Sequence, residues 1–412
     1  MLGVRRQRGR SVDAYGRRKS RMPEPNRKAW ANRSKARLAR LSSGECCTRN
    51  SRTTTKYGAM WMNELPRGNY QGSDTAMAWT TQTGRLGLPT LMAREFSAAW
   101  AACGAFEEIA LGYLGLSSVL IALFRENLVH PARLMGVQAV VAALILLLSR
   151  AGTRSGELVR LTGKTFSSRL WHFWRHWYPH LFFLFCFEEM GRLAHLVNPG
   201  WQDAKLMAFD RWLTGVNPSL WLGRFAHPAL TEFMEFSYFT YFVYLLILGG
   251  VLYCQRDLKN YWAVMTYSGV GYVFGYLIAI LFPVESPWFT LAGQWRAELT
   301  GGPFTALINL IEKYGRVQGA AFPSQHVAGA MAALLGAWRH RRWLFWIFLP
   351  FVACMYVSTV YVRNHYVADV LGGMLTGSLG YFVGLRVMKA YGSALSSAGI
   401  GPTKAPHQGF KR

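Results

Sequence analysis

Ala321-Phe322-Pro323-Ser324-Gln325-His326 and Asn364-His365-Tyr366-Val367-Ala368-Asp369, the second followed by Gly372-Gly373, are the stretches on which the reading of this chain turns. Each stands where an apolar run begins, so each sets a titratable group at the mouth of a helix. His365 and Asp369 are four apart and share one face if the segment is helical. A carboxylate one turn from an imidazole accepts its ring N–H, fixes the tautomer and aims the other nitrogen outward. A nucleophilic histidine needs that arrangement. A carboxylate that merely satisfies a buried histidine would look the same, but charged groups inside apolar spans are costly and seldom idle.

In the first stretch Ser324 suits an N-cap, and Pro323 closes the loop before it. The free N–H groups of the first turn favour an anion. His326 lies in that turn, where a protonated imidazole can hand a proton to a departing oxygen. One histidine at a helix end is usually just a polar terminus; two such motifs on one membrane face carry more. Gly329 and Ala333 are four apart, as are Gly373 and Gly377, and small residues so spaced let membrane helices approach closely.

Outward from these motifs the chain is a series of apolar runs. Spans are expected at about 105–124, 134–149, 171–192, 231–254, 261–282, 323–338, 343–360 and 366–387. Over 412 residues the chain is 51% hydrophobic and 15% aromatic with a formal charge of +25, which suits an all-α polytopic membrane bundle and not one soluble domain. Nucleic acid is the other partner a basic chain suggests. Here the basic residues lie in an N-terminal stretch and in short loops between apolar runs, so a membrane explains them and no nucleic-acid partner is expected.

Residues 1–60 hold 13 Arg and 4 Lys against 3 acids and lack apolar periodicity, so disorder is expected. A targeting segment, or a stretch upstream of the true start, would read the same way. The six cysteines (46, 47, 103, 186, 254, 354) form no CxxC pair and read as small hydrophobes, not as a disulfide frame or a zinc site. Segment 193–230, with Asp203, Lys205, Asp210 and Arg211, is too polar to span and is expected to lie at the interface. So is 288–322, as a long interfacial or re-entrant loop with Trp288 and Trp295.

Lys and Arg set the orientation. The loops 150–170 (Arg150, Arg154, Arg160, Lys164, Arg169), 255–260 (Arg256, Lys259) and 339–342 (Arg339, Arg341, Arg342) alternate along the chain. With the basic N-terminus and the tail they agree on a cytoplasmic side. Both termini are then cytoplasmic, and both histidine motifs face the periplasm or lumen.

Pro-Ser-x-His, an apolar span, then His-x-x-x-Asp with trailing glycines resembles the type-2 phosphatidic acid phosphatase superfamily. Ser358-Thr359-Val360-Tyr361 leading to His365, Phe282-Pro283-Val284-Glu285-Ser286-Pro287, and Asp210-Arg211-Trp212-Leu213-Thr214-Gly215-Val216-Asn217-Pro218 are most similar to its inositol phosphorylceramide synthase branch. The resemblance covers about residues 170–387. It implies a six-span catalytic core at 170–390, preceded by a basic region at 1–95 and two extra spans at 96–169, and followed by a cytoplasmic tail at 391–412. It implies a phosphohistidine mechanism without cofactor. His365 is the nucleophile, Asp369 orients it, and His326 is the general acid. The substrate is a membrane lipid, and water or a lipid alcohol accepts the phosphoryl group.

The chain departs from that pattern in three places. Thr359 stands where the phosphatases carry an arginine, the Lys-x6-Arg-Pro motif is not visible, and Glu285-Ser286 replaces Ala-Pro. Phosphate still needs donors. Arg363, Arg296, Lys313 and Arg316 are the candidates, Arg363 first because it lies two residues from His365, with Ser324 and its helix terminus supplying the rest. A solvated loop charge is the plainer reading of any one of them. Glu188, Glu189, Glu232 and Glu235 are expected near interfaces, and a polyol headgroup is a lesser use for them. Loss of the usual arginine leans toward headgroup transfer. A lipid phosphate phosphatase is the alternative, and below it stand a metal site of His326, His365 and Asp369 and a non-catalytic membrane protein.

Overall fold

A computed structural model describes residues 95–162 and 166–397. The basic region 1–94 and the last fifteen residues of the expected tail lie outside the described residues. Among the described residues every regular element is helical: α1 Ala105–Leu123, α2 Pro131–Thr162, α3 Phe166–Leu193, α4 Asp203–Thr214, α5 Pro218–Leu222, α6 Pro228–Phe239, α7 Tyr241–Cys254, α8 Leu258–Leu281, α9 Pro287–Thr290, α10 Pro303–Gly315, α11 Gln325–His340, α12 Arg342–Tyr361 and α13 Val367–Ser397. Among these residues the extended pairing is confined to isolated bridges from Val284 to Gly319 and to Ala320.

Among the described residues six helical stretches are long and apolar enough to cross a bilayer: Ala105–Leu123, Pro131–Gly152, Pro228–Cys254, Leu258–Leu281, Arg342–Tyr361 and Val367–Ala394. The other two expected spans, α3 and α11, fall outside that class for physical reasons. The 16 residues of α11 rise about 24 Å, short of the roughly 30 Å hydrocarbon core. α3 is long, but His172, Arg175, His176, His180, Glu188 and Glu189 dilute its apolar run.

Three boundaries differ from the sequence expectation. The loop expected at 150–170 is mostly helix, because α2 continues to Thr162 and α3 begins at Phe166. Nothing between Arg150 and Thr162 is a proline, and a helix leaving the bilayer has no reason to stop where its apolar run ends. α13 runs through the expected boundary at 390 to Ser397. The stretch 288–322, expected as a loop, carries the short helices α9 and α10.

α8 is the central post, packed against α1, α3, α7, α11 and α13. Small residues set the spacing around it. A Cβ on Gly380 of α13 would lie 2.5 Å from the Gly271 backbone of α8. One on Gly373 would lie 2.5 Å from the Ser324 carbonyl, and one on Gly377 would lie 2.5 Å from that of Ala328. Gly373 and Gly377 thus bring α13 onto α11, whereas Gly329 faces the Tyr272 hydroxyl of α8. α1 and α2 join the bundle through polar contacts. Glu107, 1% exposed, pairs with Arg175 at 2.5 Å and accepts from the Tyr178 hydroxyl at 2.8 Å. Gln138 donates to Glu189 at 3.0 Å. At one end of the bundle Arg341 bonds Asp257 at 2.8 Å, so the two basic turns 255–257 and 340–341 lie together.

Gly380→Ala, which has nowhere to put its methyl, is expected to destabilise the protein by about 1–3 kcal/mol. Gly112→Ala, with open space around it, should be neutral or stabilising by about 0.5–1 kcal/mol. Thermal unfolding of the two variants in detergent compares them directly.

Candidate active site

His365 does not share a helical face with Asp369. It sits two residues before α13, and Asp369 occupies the third position of that helix. From there the carboxylate reaches back over the first turn. One oxygen, Oδ2, accepts the Tyr366 N–H at 2.8 Å and faces His365 Nδ1 at 3.2 Å. The first of these is one half of a capping box. The second leaves His365 Nε2 free to face away from the helix. The backbone before it is held as tightly, since Asn364 and His365 both donate to the Thr359 carbonyl at 3.1 Å.

Ser324 caps α11, its Oγ accepting the Val327 N–H at 3.3 Å. Its own N–H donates to the Asp369 carbonyl at 3.0 Å. That bond ties the two histidine motifs together. In consequence His326 Nδ1 stands 3.1 Å from His365 Nε2. The other face of His326, Nε2, is 2.9 Å from the Tyr238 hydroxyl of α6.

Two aspartates of α4, seven residues apart and so on one face of the helix, hold the rest. Asp210 accepts the Val367 and Ala368 N–H groups at 2.9 Å each. Asp203 accepts from Glu285 N at 2.9 Å, Ser286 N at 3.1 Å, the Thr290 hydroxyl at 2.9 Å and the Tyr366 hydroxyl at 2.9 Å. Sequence reasoning assigned both residues to an interfacial segment. The available signal was their spacing on an amphipathic helix, but nothing local names their partners. Burial raises the Asp210 carboxyl, against the pull of its two N–H donors.

His326 and His365 line a cavity of about 410 Å³. Its polar end carries Asn364, Glu285, Glu312 and Arg316; its other end runs between α3 and α7 past Leu181, Leu184 and Leu246, which are 55%, 57% and 40% exposed on the outer surface. Arg316 bonds Asn364 Oδ1 at 2.7 Å, pairs with Glu312 and lies 4.3 Å over the Trp288 ring. Arg363, the first cation expected from sequence, lies outside the lining. Its guanidinium donates to the Ala297 carbonyl at 2.5 Å and stacks 4.2 Å over Trp295. Lys313 and Arg296 are exposed and also outside the lining. Glu232 accepts from Gly302 N at 2.6 Å and Phe304 N at 2.7 Å, capping α10. Glu188 lines the cavity. Among the described residues no group of three His, Cys, Asp or Glu side chains is arranged to hold a metal ion.

Burial pushes the His365 imidazole well below its usual range, with the neighbouring His326 adding to the shift. The Glu312 carboxyl is raised by burial, with Arg316 opposing. The site therefore offers an unprotonated, oriented nitrogen facing a second imidazole at hydrogen-bond distance, beside one paired arginine.

A family model described as the PAP2 superfamily matches residues 204–383. No curated protein and no solved structure matches the chain. The matched residues contain Asp210 and the rest of α4 after Asp203, both histidine motifs and most of the cavity lining.

Because protonation of His365 is disfavoured in the fold, its neutral form persists as pH falls. Its titration midpoint is expected below about 6.5. Nitrogen-15 NMR of labelled histidine in micelles reads this directly, and should show the Nδ1–H tautomer in the wild type and lose that preference in Asp369→Asn.

Proposed function

We propose that this chain, whose residues 204–383 match a PAP2 superfamily model, transfers the phospho-headgroup of a membrane lipid through a phosphohistidine on His365. The observation that carries this reading is the 3.1 Å approach of His326 Nδ1 to His365 Nε2 at the polar end of a cavity that is otherwise apolar. His365 Nε2 attacks phosphorus while Asp369 holds the proton on Nδ1 and steadies the ring as it becomes positive. His326 gives its Nδ1 proton to the leaving oxygen. In the second half a lipid alcohol returns that proton to His326, attacks phosphorus and releases His365. Arg316 and Asn364 stand where non-bridging oxygens would need donors. Ser324 acts by capping α11, and Arg363 by bracing the loop.

A lipid fits the cavity's shape. The polar end takes the phosphoester, and the apolar end, flanked by exposed leucines, takes an acyl chain from the side. The charge balance favours a diester. One arginine, already paired with Glu312, faces Glu188 and Glu285, and a monoester would bring a second negative charge with little to meet it. Hydroxyl-rich headgroups suit carboxylate acceptors, which agrees with an inositol phosphorylceramide synthase-like reaction. We further propose that α3 and α11 complete an eight-span bundle with both termini cytoplasmic. The joined basic turns at 255–257 and 340–341 support this, placing the histidines at the opposite, periplasmic or lumenal, end.

Labelled phosphatidylinositol with ceramide, and separately labelled phosphatidic acid, are the test substrates. Label should pass to ceramide, and quenching should trap an acid-labile adduct that maps to His365. His365→Ala should abolish it, and Asp369→Asn should slow turnover by about 10²–10⁴-fold. Free phosphate released from phosphatidic acid alone would replace the transferase with a phosphatase. An adduct elsewhere would sink the mechanism.

A further inference from the structure

His326 has two nitrogens, and only one of them can serve the phosphorus. The ring sits between Phe187 of α3, Tyr238 of α6 and Tyr241 of α7, with centroids at 6.1, 5.1 and 4.5 Å. Nδ1 faces His365, and Nε2 faces a hydroxyl at 2.9 Å, that of Tyr238. Tyr238 is 4% exposed and comes from a helix that contributes no sequence motif. We propose that Tyr238 is a positioning residue for phosphoryl transfer: its hydroxyl holds the Nε2 face of His326 and leaves Nδ1 as the nitrogen that gives a proton to the leaving oxygen and takes one back from the acceptor. This rests on the phosphotransfer reading above.

The proton balance follows from the two contacts. His326 enters protonated on both nitrogens, Nε2–H donated to the Tyr238 oxygen and Nδ1–H to the leaving oxygen. The bound phosphate's negative charge offsets the imidazolium. His365 Nε2 forms the bond to phosphorus; the bond to the leaving oxygen breaks, and that oxygen departs with its electron pair and the Nδ1 proton. His326 is left neutral as the Nε2–H tautomer, still held by Tyr238, with Nδ1 bare. The acceptor O–H then gives its proton to Nδ1, its oxygen bonds phosphorus, and the electron pair of the P–N bond returns to His365. A tyrosine hydroxyl both donates and accepts, so Tyr238 also partners the resting ring, when Nδ1–H points to His365 Nε2.

The ionisable groups around His326 come from several elements. They are His365 before α13, Tyr241 from α7 and Tyr272 from α8, with Glu188 from α3 and Glu285 across the cavity. Around Tyr238 itself stand Glu235 on α6, Glu312 on α10 and Arg316 just past the end of α10. None of these reaches Nε2, whose hydrogen-bond partner is the Tyr238 hydroxyl.

Tyr238→Phe keeps the ring and deletes the hydroxyl. Losing a hydrogen bond to a charged group should lower kcat for an alkyl phospholipid about 10–100-fold, with KM within about twofold of wild type. The imidazolium loses an acceptor, so the alkaline limb of kcat should move to lower pH. A p-nitrophenyl phosphodiester has a leaving group that needs no proton. Its single-turnover burst should fall less than about threefold in the same variant, whereas a merely structural defect would lower both substrates alike. Equal losses, or an unmoved alkaline limb, would overturn the inference. On the resting protein, histidine nitrogen-15 NMR should show the His326 Nε2 resonance shifting in Tyr238→Phe, and an unshifted resonance would also overturn it. If the Phe variant does not extract as a folded protein, 3-fluorotyrosine at 238 replaces it. The limb should then move part of the way, and no movement counts against the proposal. A wild type that forms no His365 adduct refutes the phosphotransfer reading instead, and the NMR result stands apart from it.

Discussion

One carboxylate oxygen organises the end of this bundle where the two histidines meet. Asp369 Oδ2 accepts the Tyr366 N–H and faces His365 Nδ1, so the start of α13 and the orientation of His365 are a single event. The main chain of the same residue, through the Ser324 N–H, binds the start of α11. Two histidines 39 residues apart meet because both of their helices begin at this one point. A carboxylate buried to 0% exposure needs donors, and here both contacts fall on Oδ2, while Oδ1 has no hydrogen-bond partner.

The same rule accounts for α4. Asp203 and Asp210 are nearly inaccessible, and each spends its oxygens on backbone N–H groups of the elements that carry the site. Buried acids so satisfied cost little and hold strongly. Their presence also removes a possible role. The first N–H groups of α13 are occupied by protein carboxylates and are not free for phosphate, although a bare helix terminus is a good anion site. That leaves Arg316 and Asn364 as the donors at the cavity's polar end, with three carboxylates in the same lining.

Sequence reading reached some of this and missed the rest for identifiable reasons. The two histidine motifs and Asp369 were legible because helix starts have local chemistry: a capping serine, a proline, a carboxylate four residues on. Arg363 was chosen over Arg316 because it is nearer His365 along the chain, yet its positive φ of 69° accompanies a side chain turned toward Ala297 and Trp295. Proximity in sequence does not say where a side chain points. The partners of Tyr238 and Asp210 leave no local sign, since they lie 88 and 157 residues away. The overlong helices α2 and α13 escaped because apolar runs report the membrane's thickness and not the helix's end.

By itself, the sequence determined that this is a helical membrane protein with two polar helix mouths bearing His326 and His365. Hydrophobic run length and capping residues act over a few turns and can be read locally. Only the tertiary structure decided that the two imidazoles face each other, that Arg316 is the cation beside them, and that α4 clamps the loop that aims them. Those outcomes depend on close glycine-mediated contacts between distant helices and on buried carboxylates finding donors, and neither leaves a mark within any one segment.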